Sequence, residues 1–154
     1  MTRAVAISGS RRAEHRPADE FNSLFDTYLA PFVASGTLVF VGGAKGIDTQ
    51  SLIWLTSHRM AARLCVVVPG TVEDQPTEAR EAIAAAQVAV SVEVVQLRHP
   101  AFPSAAAYHY RNRWMVDRAD LMVAFPRGDD PNSGTIYTID YATGRGLPRI
   151  IVPI

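Results

Sequence analysis

The chain has 154 residues, 48% of them apolar and 19% charged, with zero formal net charge. A chain of this size buries about 70% of the surface its unfolded form exposes, so disorder and a disulfide-stapled miniprotein are both excluded. Neutrality argues against a protein wrapped in nucleic acid but leaves room for a local basic site; the cations are Arg except Lys45, and Arg is the better bidentate phosphate ligand, although GC-rich codon usage produces the same bias.

Short β-branched runs alternate with helical patterns along the whole chain. Residues 4–8 read as a first strand, followed at once by Gly9-Ser10-Arg11. Phe21, Leu24, Phe25, Tyr28, Leu29 and Phe32 recur at spacings of three and four, which predicts a helix over 21–33, with Pro31 ending or kinking it near Ala30. Residues 37–41 form a second strand, closed by Gly42-Gly43, and a helix runs from Ile47 or Asp48 to about His58. The third strand, 64–68, contains the single cysteine, Cys65, and is cut off by Pro69-Gly70. One cysteine forms no internal disulfide, and without a basic neighbour this thiol reads as buried and structural. Residues 73–86 are helical in composition, 92–97 a fourth strand, 98–103 a loop and 104–117 a helix rich in aromatics and arginines. A fifth strand over 121–125, a polar loop to Ser133, a helix from Gly134 or Thr135 to about Gly144 and a short strand over 149–152 complete the pattern.

This alternation predicts parallel βαβ units in an α/β, Rossmann-like three-layer sandwich, a mainly parallel sheet flanked by helices, as a single domain over residues 1–154. Neither a span of about 20 apolar residues nor a signal-peptide layout occurs, so the expected location is the cytoplasm, with no membrane partner.

In such sheets ligands bind beyond the carboxyl ends of the strands, where the polar glycines of this sequence stand. Ser8-Gly9-Ser10-Arg11 follows strand one. Gly42-Gly43-Ala44-Lys45-Gly46-Ile47-Asp48 follows strand two, and Pro69-Gly70 follows strand three. Asp129-Asp130-Pro131-Asn132-Ser133-Gly134-Thr135 runs from strand five into a helix. Small residues let backbone N–H groups approach an anion, and a helix N-terminus adds unpaired N–H groups and a positive dipole end. Singly, each loop has a plainer reading: Gly-Gly as a tight turn, Ser133 as an N-cap, and Asp48 as a cap or else a contact to a ribose or base. Together they predict one phosphate site. In the helix before strand five, Arg111 and Arg113 lie about 200° apart, so one faces the crevice and the other solvent or a partner subunit. Tyr110 and Trp114, four apart, read as core, or as stacking groups at the site's rim.

The order of these motifs resembles the Rossmann-like core of the DNA-processing protein A (Smf) family: a GSR after strand one, a G-x-A-x-G-I-D, an R-N-R and an S-G-[ST]. Here these are Gly9-Ser10-Arg11, Gly42 to Asp48, Arg111-Asn112-Arg113 and Ser133-Gly134-Thr135, spread over about residues 4–152. The resemblance extends to the wider SLOG superfamily, which includes the "lonely guy" nucleoside-monophosphate phosphoribohydrolases and single-domain nucleotide sensors. It implies a positively charged pocket built from these glycines, Arg and Lys, for single-stranded DNA in a protein that helps load a recombinase. The phosphoribohydrolases carry P-G-G-x-G-T-x-x-E; Thr138 stands at the Glu position, and Thr does not replace a carboxylate near neutral pH.

The expected ligand-binding set is therefore Gly9, Ser10, Arg11, Gly42, Gly43, Ala44, Lys45, Gly46, Asp48, Pro69, Gly70, Arg111, Asn112, Arg113, Ser133, Gly134 and Thr135. No catalytic or metal-ligating residue is assigned: the four histidines share no ligand spacing, and Walker, GxGxxG and GxSxG motifs are absent. The expectation is a nucleotide-binding sensor or accessory module without a resident cofactor. The alternatives are a single-stranded DNA-binding recombination mediator and an N-glycosidase acting on nucleoside monophosphates. A homodimer through the aromatic helix 104–117 is a further expectation.

Overall fold

The computed structural model describes residues 3–58 and 61–154. Six strands, β1 (Ala4–Gly9), β2 (Leu38–Gly42), β3 (Arg63–Val68), β4 (Val92–Gln96), β5 (Leu121–Phe125) and β6 (Arg149–Ile151), form one sheet of order β4-β3-β2-β1-β5-β6. Every pairing is parallel, so the expectation of a mainly parallel sheet is met in full. The connecting helices are α1 (Ala18–Tyr28), α2 (Ile47–His58), α3 (Thr77–Ala89), α4 (Ala105–Asp117) and α5 (Gly134–Gly144).

Alternate strand residues supply the two faces of the sheet. Val5, Ile7, Val39, Val41, Val66 and Val123 pack with Phe25 of α1, Leu52 and Trp54 of α2 and Ile83 of α3. The intervening residues Ala6, Phe40, Cys65 and Val67 pack with Met115 of α4, and Met122 and Ala124 with Val116 of α4 and Ile139 of α5. The result is a three-layer α/β sandwich.

Local departures from the predicted elements have local causes. The first helix ends at Tyr28, and Ala30–Phe32 is a separate 3-10 turn with Pro31 in its first turn, consistent with proline's missing N–H. The third helix starts only at Thr77, after Pro76; Val72–Asp74 is a 3-10 turn closed by reciprocal Thr71–Asp74 capping. Cys65 is buried, and burial, with Glu93 nearby, pushes its thiol up to about 11, which makes it inert at neutral pH.

Candidate functional site

The chain reverses its winding at β1: β2 lies on one side of it and β5 on the other. A crevice outside the carboxyl ends of such a strand pair follows from this topology, because the connections leave in opposite directions. A cavity of about 560 Å³ stands there, lined by the end of β1, α4 and the approach to α5.

From the β1 side come Ser8, Gly9, Ser10, Arg11 and Arg12. The turn is held by Ser10 N–H donating to Phe125 O (3.1 Å), by Ile47 N–H donating to Ser10 O (3.0 Å) and by Arg12 N–H donating to Ser10 Oγ (3.0 Å). Arg11 is exposed and lays its guanidinium over the Tyr108 ring at 4.1 Å. From α4 come Tyr108, His109, Arg111, Asn112 and Met115. From the β5–α5 loop come Arg127, Asp130, Asn132, Ser133, Gly134 and Thr135. Ser133 is the N-cap of α5, its Oγ accepting from Thr135 N–H at 3.2 Å. Arg127 donates to Glu14 Oε1 (3.2 Å), tying the segment after β1 to the segment after β5. Ala44 and Asp48 complete the wall from the β2–α2 loop.

Arg111 is the most buried cation of the site, 4% exposed. Its Nε donates to Asn112 Oδ1 (2.7 Å), its Nη1 to Val67 O (3.1 Å), and its Nη2 lies 4.0 Å from Asp48 Oδ2. Asp48 Oδ2 also accepts from Ala44 N–H at 3.2 Å. Burial pushes the Asp48 carboxyl above its ordinary range, and the attraction of Arg111 only partly opposes this; burial likewise lowers Arg111, which Asp48 partly offsets. Asp48 is the second residue of α2, and its carboxylate reaches back into the preceding loop, so it is not the helix N-cap.

Of the predicted set, Gly9, Ser10, Arg11, Ala44, Asp48, Arg111, Asn112, Ser133, Gly134 and Thr135 line this one cavity, and Gly42, Gly43, Lys45, Gly46, Pro69, Gly70 and Arg113 do not. A Cβ on Gly42 would strike Arg111 and Asp48, and one on Gly43 would strike Val68. Gly46 has φ +79° and sits against the backbone of Ser10 and Arg11. Lys45 is exposed. Pro69 and Gly70 are buried, their carbonyls accepting from His99 and Arg98 N–H. Arg113 is half-buried and stands off the cavity wall: its Nη1 donates to Tyr137 Oη of α5 at 2.6 Å. Tyr137 in turn stacks on His109, ring centroids 3.7 Å apart, and burial followed by repulsion from Arg113 lowers the His109 pKa. Trp114 packs edge-on to Phe40, whereas Tyr110 is 42% exposed beside His99 and outside the core.

Sequence reasoning missed Tyr108, His109 and Arg127 as wall residues. Arg127 stands two residues past β5, the strand beside β1, so strand order would have flagged it; Tyr108 and His109 lie on the same helix turn as Arg111 and carried a weaker signal.

No protein-family model matches the sequence, and no curated protein does. Among solved structures, the chain is similar to DNA processing protein A from Streptococcus pneumoniae, with a TM-score of 0.73 at 18% identity over 98% of this chain. It is also similar to DNA processing protein A from Helicobacter pylori, described for its unique single-stranded DNA binding mode, with a TM-score of 0.70 at 21% identity over 98% of this chain. The chain spans 50% of the first protein and 65% of the second. The fold is thus that of DNA processing protein A over this region, as the motif order predicted. No helix among the described residues is long and apolar enough to cross a membrane.

Proposed function

We propose that the cavity binds the phosphate of a nucleotide, and that the chain acts through binding, as a sensor or accessory module. The observation that carries this reading is convergence: Arg11, Arg12, Arg111 and Arg127 line the same space as the capped N-terminus of α5, against only Asp48 and Asp130 as acids. A surplus of cations facing a helix N-terminus suits a multiply charged oxygen cluster. A volume of about 560 Å³ falls within the range of small-molecule sites. Hydrolysis of an N-glycosidic bond has less support, because Thr138 is buried and its Oγ1 donates to Gly134 O at 2.7 Å, which provides no carboxylate at that position.

A second reading, a single-stranded DNA binder, is favoured by the description of the Helicobacter pylori protein and by the exposed Arg11 and Arg12 at the rim. Calorimetric titration with nucleoside monophosphates and with an oligodeoxythymidylate, each at low and at moderate salt, separates the two. A single-nucleotide site gives a shallow salt dependence, whereas a strand tracked along several phosphates loses affinity steeply. Arg11→Ala should weaken nucleotide binding about tenfold while leaving the fold intact, since charge-assisted phosphate bonds are among the stronger ones. Absence of nucleotide binding, or binding indifferent to both Arg11→Ala and Arg127→Ala, overturns the proposal.

A further inference from the structure

Three polar side chains of the cavity are each 6% exposed: Ser8, Asp48 and Asn112. Each carries an atom that bonds to nothing in the described protein. Ser8 Oγ has no partner. Asp48 commits only Oδ2, to Ala44 N–H and towards Arg111, and Asn112 commits Oδ1 to Arg111 Nε, which fixes the amide so that Nδ2 is the outstanding atom. Among the described residues no fully buried side-chain nitrogen or oxygen lacks a partner, so these three atoms must meet the solvent of the cavity. Asp48 and Asn112 both face the Arg111 guanidinium, one at Nη2 and the other at Nε. One cavity wall therefore offers an acceptor-only oxygen, a donor-only nitrogen and a hydroxyl.

We infer that this wall holds the vicinal hydroxyls of a ribose, one donating to Asp48 Oδ1 while accepting from Asn112 Nδ2, so that the ligand is a ribonucleotide and not a deoxyribonucleotide. The inference rests on the phosphate reading above and specifies the sugar of that same ligand. Competing donors fit less well. The edge of a guanine presents parallel N–H groups that take both oxygens of a carboxylate, and Oδ2 is already engaged. The edge of an adenine or a cytosine, an exocyclic amine beside a ring-nitrogen acceptor, answers Asp48 and Asn112 but leaves Ser8 Oγ unanswered, and it would bind ribose and deoxyribose forms alike. A hydroxyl is donor and acceptor at once and answers both, and its neighbour on the ring is met by Ser8 Oγ, which can play either role. A buried acceptor left without its donor is costly, so the loss of a ligand hydroxyl here is discriminating.

The test is calorimetry with the full chain on ribose 5-phosphate and 2-deoxyribose 5-phosphate, and on the common ribonucleoside 5′-monophosphates paired with their 2′-deoxy counterparts. The ribose form should bind about tenfold or more tightly, as expected for a hydrogen bond to a charged group. Asp48→Asn puts an amide donor opposite Asn112 and should bring the ratio to about one. Should Asp48→Asn fail to fold, judged by its melting curve, Ser8→Ala should still lower the ratio about threefold. Equal affinity of the wild-type protein for ribose and deoxyribose forms overturns this inference while leaving the phosphate reading standing. Binding of neither overturns both.

Discussion

Two glycine-bearing loops leave the carboxyl edge of the sheet, one entering α2 and the other α5, and in the sequence they look like equivalent anion sites. In the structure they are used differently. At the α2 loop the missing side chains are filled by protein: Arg111 and Asp48 crowd Gly42, Val68 crowds Gly43, and the Ser10–Arg11 backbone crowds Gly46. At the α5 loop the nearest atom to a Cβ on Gly134 is Asn112 Nδ2, at 3.9 Å, and the residue lines the cavity. A glycine can thus serve close packing in one loop and access for a ligand in another, and what a Cβ would strike distinguishes them.

The largest effect should come from Arg111, the guanidinium against which Gly42 packs. Arg111→Met leaves Asp48 buried without its cation and should cost about 3 kcal/mol of stability by chemical denaturation at neutral pH, the low end for a broken buried pair. The loss should shrink in acid. Burial already raises the Asp48 carboxyl above its ordinary value of 3.8, and removing Arg111 raises it further. Between the ordinary and the raised value the folded state then binds more protons than the unfolded one, so stability rises as pH falls through that window. A loss equally large at low pH would mean that packing, and not charge, sets the role of Arg111. Next in size, Gly42→Ala drives a methyl into the same pair and should cost about 2 kcal/mol. A neutral Gly42→Ala would break the contrast between the loops at its base.

The contrast also marks how far the residues alone could be read. Strand positions followed from short, continuous β-branched runs, because a strand of a doubly covered sheet is apolar throughout, and the first helix from its spacings of three and four. Prolines shifted boundaries where they removed an N–H, as at Pro31 and Pro76. The convergence of Gly9–Arg11 and Ser133–Thr135 was legible because topology puts strand termini at one edge, whereas Asn112, inside α4, came only with the R-N-R motif. What remained hidden was every decision made by side chains from distant elements. That Gly42 makes room for an arginine about seventy residues on, or that Arg113 donates to Tyr137 of α5, depends on how α4 docks. The spacing of Arg111 and Arg113 told that they diverge, not where each would go.

At the open loop, Gly134→Ala should leave stability within about 1 kcal/mol of wild type, because alanine is the better helix former and meets no hard contact. The same methyl stands in the cavity and should weaken nucleotide binding several-fold in a calorimetric titration, reversing the pattern of Gly42→Ala, in which stability falls first.

Lys45 supplies the smallest expected effect and the sharpest use of it. It sits between the packing glycines Gly43 and Gly46 of the α2 loop, and a sequence reading makes it the natural phosphate cation of a G-x-A-x-G loop. Its side chain is exposed and off the cavity wall, so Lys45→Ala should shift stability by less than about 0.5 kcal/mol. Nucleotide affinity should change less than about twofold, since a charge held in open solvent is screened within roughly 10 Å at moderate salt. Arg11→Ala, measured beside it, removes a cation of equal charge that does line the cavity. If the two variants lost affinity alike, the field of the whole carboxyl edge, and not the contacts of one cavity, would be attracting the phosphate, and the division between a packing loop and a binding loop would lose its functional meaning.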